Sequence, residues 1–164
     1  MRSGFDPQRA LDFARSEVFE RTFKEGMALV EETAAYLDGP GRAASKRLSR
    51  AAALAYAGES MRLTTRLMQV ASWLLVQRAV RDGEIQLAEA ASEKYRLISR
   101  DTPAGASFAG ADDLPAALKS LIIRGAAIYE RVRRLDESMY EGGAADAANP
   151  VSDQLAKLQA AFQR

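Results

Sequence analysis

The sequence predicts an all-α protein, an antiparallel-type three-helix bundle with long helices, and three observations carry that expectation. Three stretches of more than twenty residues repeat apolar residues every three or four positions, the spacing of one helix face. Nowhere does a strand-length segment alternate apolar with polar residues. Gly- and Pro-containing turns separate the periodic stretches. The chain divides into an N-terminal segment at 1–15, a helical bundle at 16–140, and a linker with an amphipathic tail at 141–164.

In the N-terminal segment Asp6-Pro7 reads as a helix start, Asp as cap and Pro in the first turn, with a short helix over Gln8–Arg15. The first long helix is expected over 16–37. Phe19, Phe23, Met27, Val30, Ala34 and Leu37 share a face, Gly26 marks a close helix contact beside it, and Asp38–Gly41 ends it. This helix is acidic, whereas Arg42, Lys46, Arg47 and Arg50 open the next stretch without an acid. Two readings stay open: pairing across a helical hairpin, or a basic docking patch.

The second helix, expected over 44–81, organises the rest. Leu54, Gly58, Met61, Thr65, Met68, Ser72, Leu75 and Ala79 form one row, Leu63, Leu67, Val70 and Leu74 a second, and Trp73, Val76 and Val80 a third. A helix apolar on most sides is buried on most sides. Met68 is therefore expected in the core, where Met68→Asp would cost several kcal/mol. Trp73, Val76 and Val80 are expected at the interface of a homodimer, unless residues 84–98 cover them within one subunit. Glu59, Arg62 and Arg66 have the spacing of an ion-pair string.

Residues 84–98 read as a short helix, and 99–112 as a mobile, aperiodic loop. The third long helix is expected over 113–140, capped by Asp112 or Asp113 with Pro115 in its first turn. Its face is a strict heptad: Leu114, Leu118, Leu121, Gly125, Ile128, Val132, Leu135 and Met139. Arg131, Arg133 and Arg134 lie off that face, as solvated charge or as a grip for an acidic partner. Residues 141–150 have a linker's composition. Beyond them Val151, Leu155, Leu158 and Phe162 form one apolar face, too short to be a stable helix alone and suited to a partner's groove.

Composition narrows the function. With 23 basic and 22 acidic residues, the chain lacks the charge excess of a general nucleic-acid binder. It has neither His nor Cys, which removes the commonest general base, thiol nucleophiles and the usual transition-metal ligands. No glycine-rich phosphate loop or carboxylate cluster stands out, so no enzyme activity, metal or cofactor is expected. The first residues lack a signal peptide's apolar core, and the apolar run 67–80 is too short to span a bilayer, which suits a cytoplasmic protein.

The segments FKEGMALVEETAAYLDGPGR (23–42) and SKRLSRAAALAYAGESMRLTTRLMQVASWLLVQRAVRDGE (45–84) closely resemble the alphaproteobacterial family called regulator of CtrA degradation. The similarity runs through whole segments covering about half the chain, and it thins beyond Tyr95. The resemblance implies a dimeric three-helix bundle acting as an adaptor for the ClpXP protease. In that role it would dock on protease primed by a response-regulator-like factor. It would deliver cell-cycle regulators, or a second adaptor that binds a cyclic dinucleotide messenger, at the cell pole. The alternative is a dimeric helical scaffold with no part in proteolysis.

Overall fold

The computed structural model describes residues 7–97 and 107–140. Its elements are α1 (Pro7–Ala14), α2 (Glu17–Asp38), α3 (Pro40–Ser45), α4 (Arg50–Arg81), α5 (Leu87–Ala90), a 3-10 turn (Ala111–Asp113) and α6 (Ala116–Tyr140). All regular structure among the described residues is helical, and the long helices α2, α4 and α6 pack on one another.

Local chemistry sets the boundaries. The Ser16 hydroxyl accepts the Phe19 N–H at 3.2 Å, so the chain breaks between α1 and α2 instead of running on. Gly39 closes α2, and Pro40 opens the short α3. The second long helix starts later than the periodicity suggests. Ser49 caps it through the Ala52 N–H at 3.2 Å, so residues 44–49 belong to α3 and a turn. At α6 the expected aspartate cap is replaced. Asp112 and Asp113 lie in the 3-10 turn, and the Pro115 carbonyl accepts the first bond, from Lys119 N–H.

Paired contacts give the helix directions. Glu25 meets Arg131 and Glu32 meets Arg124, so α2 runs antiparallel to α6. Glu20 meets Arg81, and Gly26 faces Leu74, so α2 is also antiparallel to α4. Between α4 and α6 the partners ascend together: Leu63 with Gly125, Trp73 with Asp136, Gln77 with Tyr140. These two helices are parallel, because the chain between 82 and 115 returns to the starting end before α6 begins. The expected antiparallel-type order, in which each long helix runs opposite to the one before it, holds for α2 and α4 but not for α4 and α6.

The core differs from the expected faces in instructive ways. In α2 the buried row is Phe19, Thr22, Gly26, Leu29 and Thr33, one step round from the expected one, and Ala34 is exposed. Gly26 explains the rotation. A Cβ there would come within 2.7 Å of Leu74 Cδ1 and 3.3 Å of Ile128 Cδ1, so side chains of both α4 and α6 close in on α2 at that glycine. The larger Phe23, Met27 and Val30 pack half-buried at its flanks.

In α4 the second and third rows are inside: Leu63, Leu67, Val70, Trp73, Leu74 and Val80 are all buried. The first row is the one left outside. Leu54, Met61, Met68 and Leu75 are 65%, 73%, 59% and 51% exposed, which overturns the core placement of Met68. Met68→Asp is therefore expected to change the stability of a single subunit by less than about 0.5 kcal/mol, as surface substitutions do. A thermal melt at low concentration, under conditions where any oligomer has dissociated, measures it.

α1 joins this same core. Ala10 and Ala14 are fully buried, and the Phe13 ring lies 5.7 Å from Phe19 and 6.2 Å from Trp73. The segment 84–97 forms only the four-residue α5 plus turns, with Ala90 and Leu97 buried against the bundle. Part of the expected mobile loop is also fixed. Phe108 lies where a Cβ on Gly58 would sit, and Gly110, with φ +86°, lies against the Ala51–Ala52 backbone.

Candidate partner-binding surfaces

Three surfaces stand out: the outer row of α4, the arginines of α6 and the corner between α2 and α4. The outer row alternates bulky with small residues, Leu54, Met61, Met68 and Leu75 with Gly58, Thr65, Ser72 and Ala79. Its central part borders a groove of about 690 Å³ between α4 and residues 93–97, lined by Thr65, Met68, Ser72, Val76, Lys94 and Arg96 among others.

The expected dimer residues lie elsewhere. Trp73 is 1% and Val80 4% exposed within the single chain, and Val76 is half-buried on the groove. The rival reading describes them better, since α1 and the 84–97 segment cover this side of α4. Trp73 also has a polar anchor. Its indole N–H donates to Asp136 Oδ1 at 2.8 Å, and Arg96 Nε donates to Asp136 Oδ2 at 3.0 Å. The Arg96 guanidinium lies over the Tyr140 ring at 4.9 Å, and Gln77 Nε2 donates to the Tyr140 hydroxyl at 3.0 Å. Burial is the main cause raising the Tyr140 pKa above that of a free phenol, and the bond from Gln77 opposes it. This network ties the 84–97 segment to α4 and α6.

The α6 arginines are engaged inside the chain. Arg131 bonds Glu25 at 2.5 Å, Arg133 bridges Glu130 and Glu137, and Arg134 reaches Glu130 at 3.3 Å. The bond from Arg133 is the main cause holding the Glu130 carboxyl down to about 2. That row of charges is thus largely matched before any partner arrives.

The corner differs. Of the two readings of Arg42, Lys46, Arg47 and Arg50, hairpin pairing with α2 does not form. Glu20, Glu25 and Glu32 pair instead with Arg81, Arg131 and Arg124. The reason is geometric: those acids face α6 and the far end of α4, whereas the four cations lie on α3, the turn after it and the first position of α4. Of the expected string in α4, Glu59 and Arg62 pair at 3.0 Å, and Arg66 stays outside it among the described residues. Arg62 also stacks over Phe108 at 4.9 Å, which helps seat the 107–113 segment.

The tail residues Val151, Leu155, Leu158 and Phe162 lie outside the described residues. Among the described residues no group of three or more His, Cys, Asp or Glu is placed to hold a metal ion. No described helix is long and apolar enough to cross a membrane.

The family model "Protein of unknown function (DUF1465)" matches residues 10–162. The chain belongs to the DUF1465 family. A solved structure, RcdA from Caulobacter crescentus CB15, matches at 61% sequence identity and a TM-score of 0.67, covering 79% of this chain and 97% of that one. This is the family that the 23–42 and 45–84 segments resemble. No curated protein matches the chain. The agreement over nearly the whole of the solved relative makes its helical architecture the frame on which the surfaces above are carried.

Proposed function

We propose that this protein is a non-enzymatic adaptor for regulated proteolysis. The single observation that carries the reading is its 61% identity to RcdA across nearly that whole chain. On this reading the protein docks on ClpXP primed by a response-regulator-like factor. It presents cell-cycle regulators, or a second adaptor, to the protease. One further property supports the role: the C-terminal sequence has one apolar face behind a linker. An adaptor accelerates degradation by raising local concentration, toward the millimolar range for short linkers, and does no chemistry.

The working unit is a homodimer formed through the outer row of α4. A two-fold axis beside Thr64 and Thr65 would set Met61 opposite Met68 of the second copy and Leu54 opposite Leu75 of the second copy, apolar side chains meeting on both sides of the axis. Val151, Leu155, Leu158 and Phe162 hold a partner by laying their face in a groove.

The test is degradation of a cell-cycle regulator by the reconstituted protease and priming factor, with and without this protein. Faster turnover with wild type supports the adaptor, and unchanged turnover leaves the dimeric scaffold. Deleting 143–164, or making Leu155→Asp with Leu158→Asp, is expected to slow delivery about tenfold while the protein stays folded, the loss of about 1.4 kcal/mol of partner affinity. Wild-type delivery by both variants would remove the tail from the mechanism.

A further inference from the structure

We propose that the corner formed by Arg42, Lys46, Arg47 and Arg50 is a docking site for a short acidic segment of a partner protein. The proposal deepens the adaptor reading by giving it a contact surface. Its test reads binding and not degradation, so either can fail alone.

Four cations fall within nine residues, on α3, the following turn and the first position of α4. All four are exposed. None makes an ion pair among the described residues, although Arg62, Arg78, Arg81, Arg96, Arg124, Arg131, Arg133 and Arg134 all do. Most arginines of α4 and α6 are thus matched with acids, whereas at this corner four neighbouring cations stand together without one among the described residues.

The placement is also unfavourable for the isolated protein. Lys46, Arg47 and Arg50 crowd the positive end of a 32-residue helix, where cations oppose the macrodipole. An anion bound there removes both penalties. Three of the four are arginines, whose planar forks take carboxylates in pairs of parallel hydrogen bonds.

The margins of the patch select the partner. Asp38, at the end of α2, flanks one side. Asp112 and Asp113 flank another, in the turn that follows Gly110 against Ala51 and Ala52. All three are exposed and make no ion pair among the described residues. A cation island bounded by acids suits an anionic segment of a few residues. It repels a polyanion that extends past the corner, as a duplex backbone or an anionic lipid sheet does. Four cations also fall short of the six to ten phosphate contacts of a typical DNA binder.

Fluorescence anisotropy of a short labelled Glu-Ser repeat peptide tests this on the full chain, with a labelled DNA duplex and phosphatidylglycerol vesicles as rival probes. The variant Arg42→Glu/Lys46→Glu/Arg47→Glu is compared with Arg9→Glu/Arg21→Glu/Lys24→Glu, which makes the same change in net charge at other exposed cations. The corner variant is expected to weaken peptide binding by about tenfold or more, with the control within about twofold of wild type. Circular dichroism and the milder Arg42→Ala/Lys46→Ala/Arg47→Ala variant separate lost binding from lost folding. The proposal is overturned if wild type does not bind the peptide, if the control weakens binding as much, or if duplex or vesicles are held more tightly than the peptide.

Discussion

Asp136→Ala should lower stability by about 3 kcal/mol, the low end of the range for breaking a buried ion pair. The carboxylate is 2% exposed and accepts from both Trp73 and Arg96. Without it the indole N–H is buried with no acceptor, and the Arg96 guanidinium, whose side chain is 17% exposed, loses its counter-charge. Arg96 retains the Tyr140 ring and can turn partly to water, which keeps the cost at the low end. The melting temperature should fall by about 10 °C for a chain of this size. Arg96→Met alone should also be severe, since it strands a buried carboxylate. Combining it with Asp136→Leu should cost less than the two single changes added, because an apolar pair removes both charges together. A loss below about 0.5 kcal/mol for Asp136→Ala, within the range of surface substitutions, would show that the network holds nothing in place.

Gly110→Val should be comparably damaging, by about 3 kcal/mol, and local. The residue has φ +86°, a conformation that costs a non-glycine residue about 1–3 kcal/mol and is worst for a β-branched one. Its Cβ would also meet Ala51 C and Ala52 N at 2.7 Å, and a helix backbone does not yield as a side-chain tip does. Release of the 107–113 segment is the expected response, uncovering Gly58 as Phe108 leaves. Hydrogen exchange should then rise in 107–113 and in the first turns of α4, with the Trp73 environment unchanged. Unaltered exchange in the segment would refute it.

The helical class, the positions of the long helices and the close contact at Gly26 could be read from residue spacing, because periodicity and turn chemistry act locally. The inward face of each helix was less legible. On α6 the heptad reading puts Leu135 inside, yet Asp136 is buried and Leu135 half-buried. A straight helix advances 3.6 residues per turn, so a seven-residue repeat drifts by about 20° each heptad and reaches the next position after several turns. On α4 three apolar rows competed, and only the tertiary partners decide which one stays outside. Met61 and Met68 read as core from composition alone, and nothing local marks them as surface. Asp136 carried one faint signal, an acid four residues from both Val132 and Tyr140 on an otherwise apolar side. The corner cations were visible as a cluster, but their lack of partners depends on which way the acids of α2 face.

The parallel pairing of α4 with α6 also raises the question of sliding. Both helices repeat apolar residues at nearly the same interval, and greasy surfaces of that kind tolerate displacement by a whole repeat. Shifting α6 by seven residues would set Asp136 beside Val80 or Arg66 instead of Trp73, and would bring Leu118 or Val132 where Gly125 now admits Leu63. The carboxylate and the glycine thus act as a key and a notch that allow one alignment. A bundle aligned by two such residues can vary its outer rows and its corner freely, because those surfaces carry no share in choosing the register.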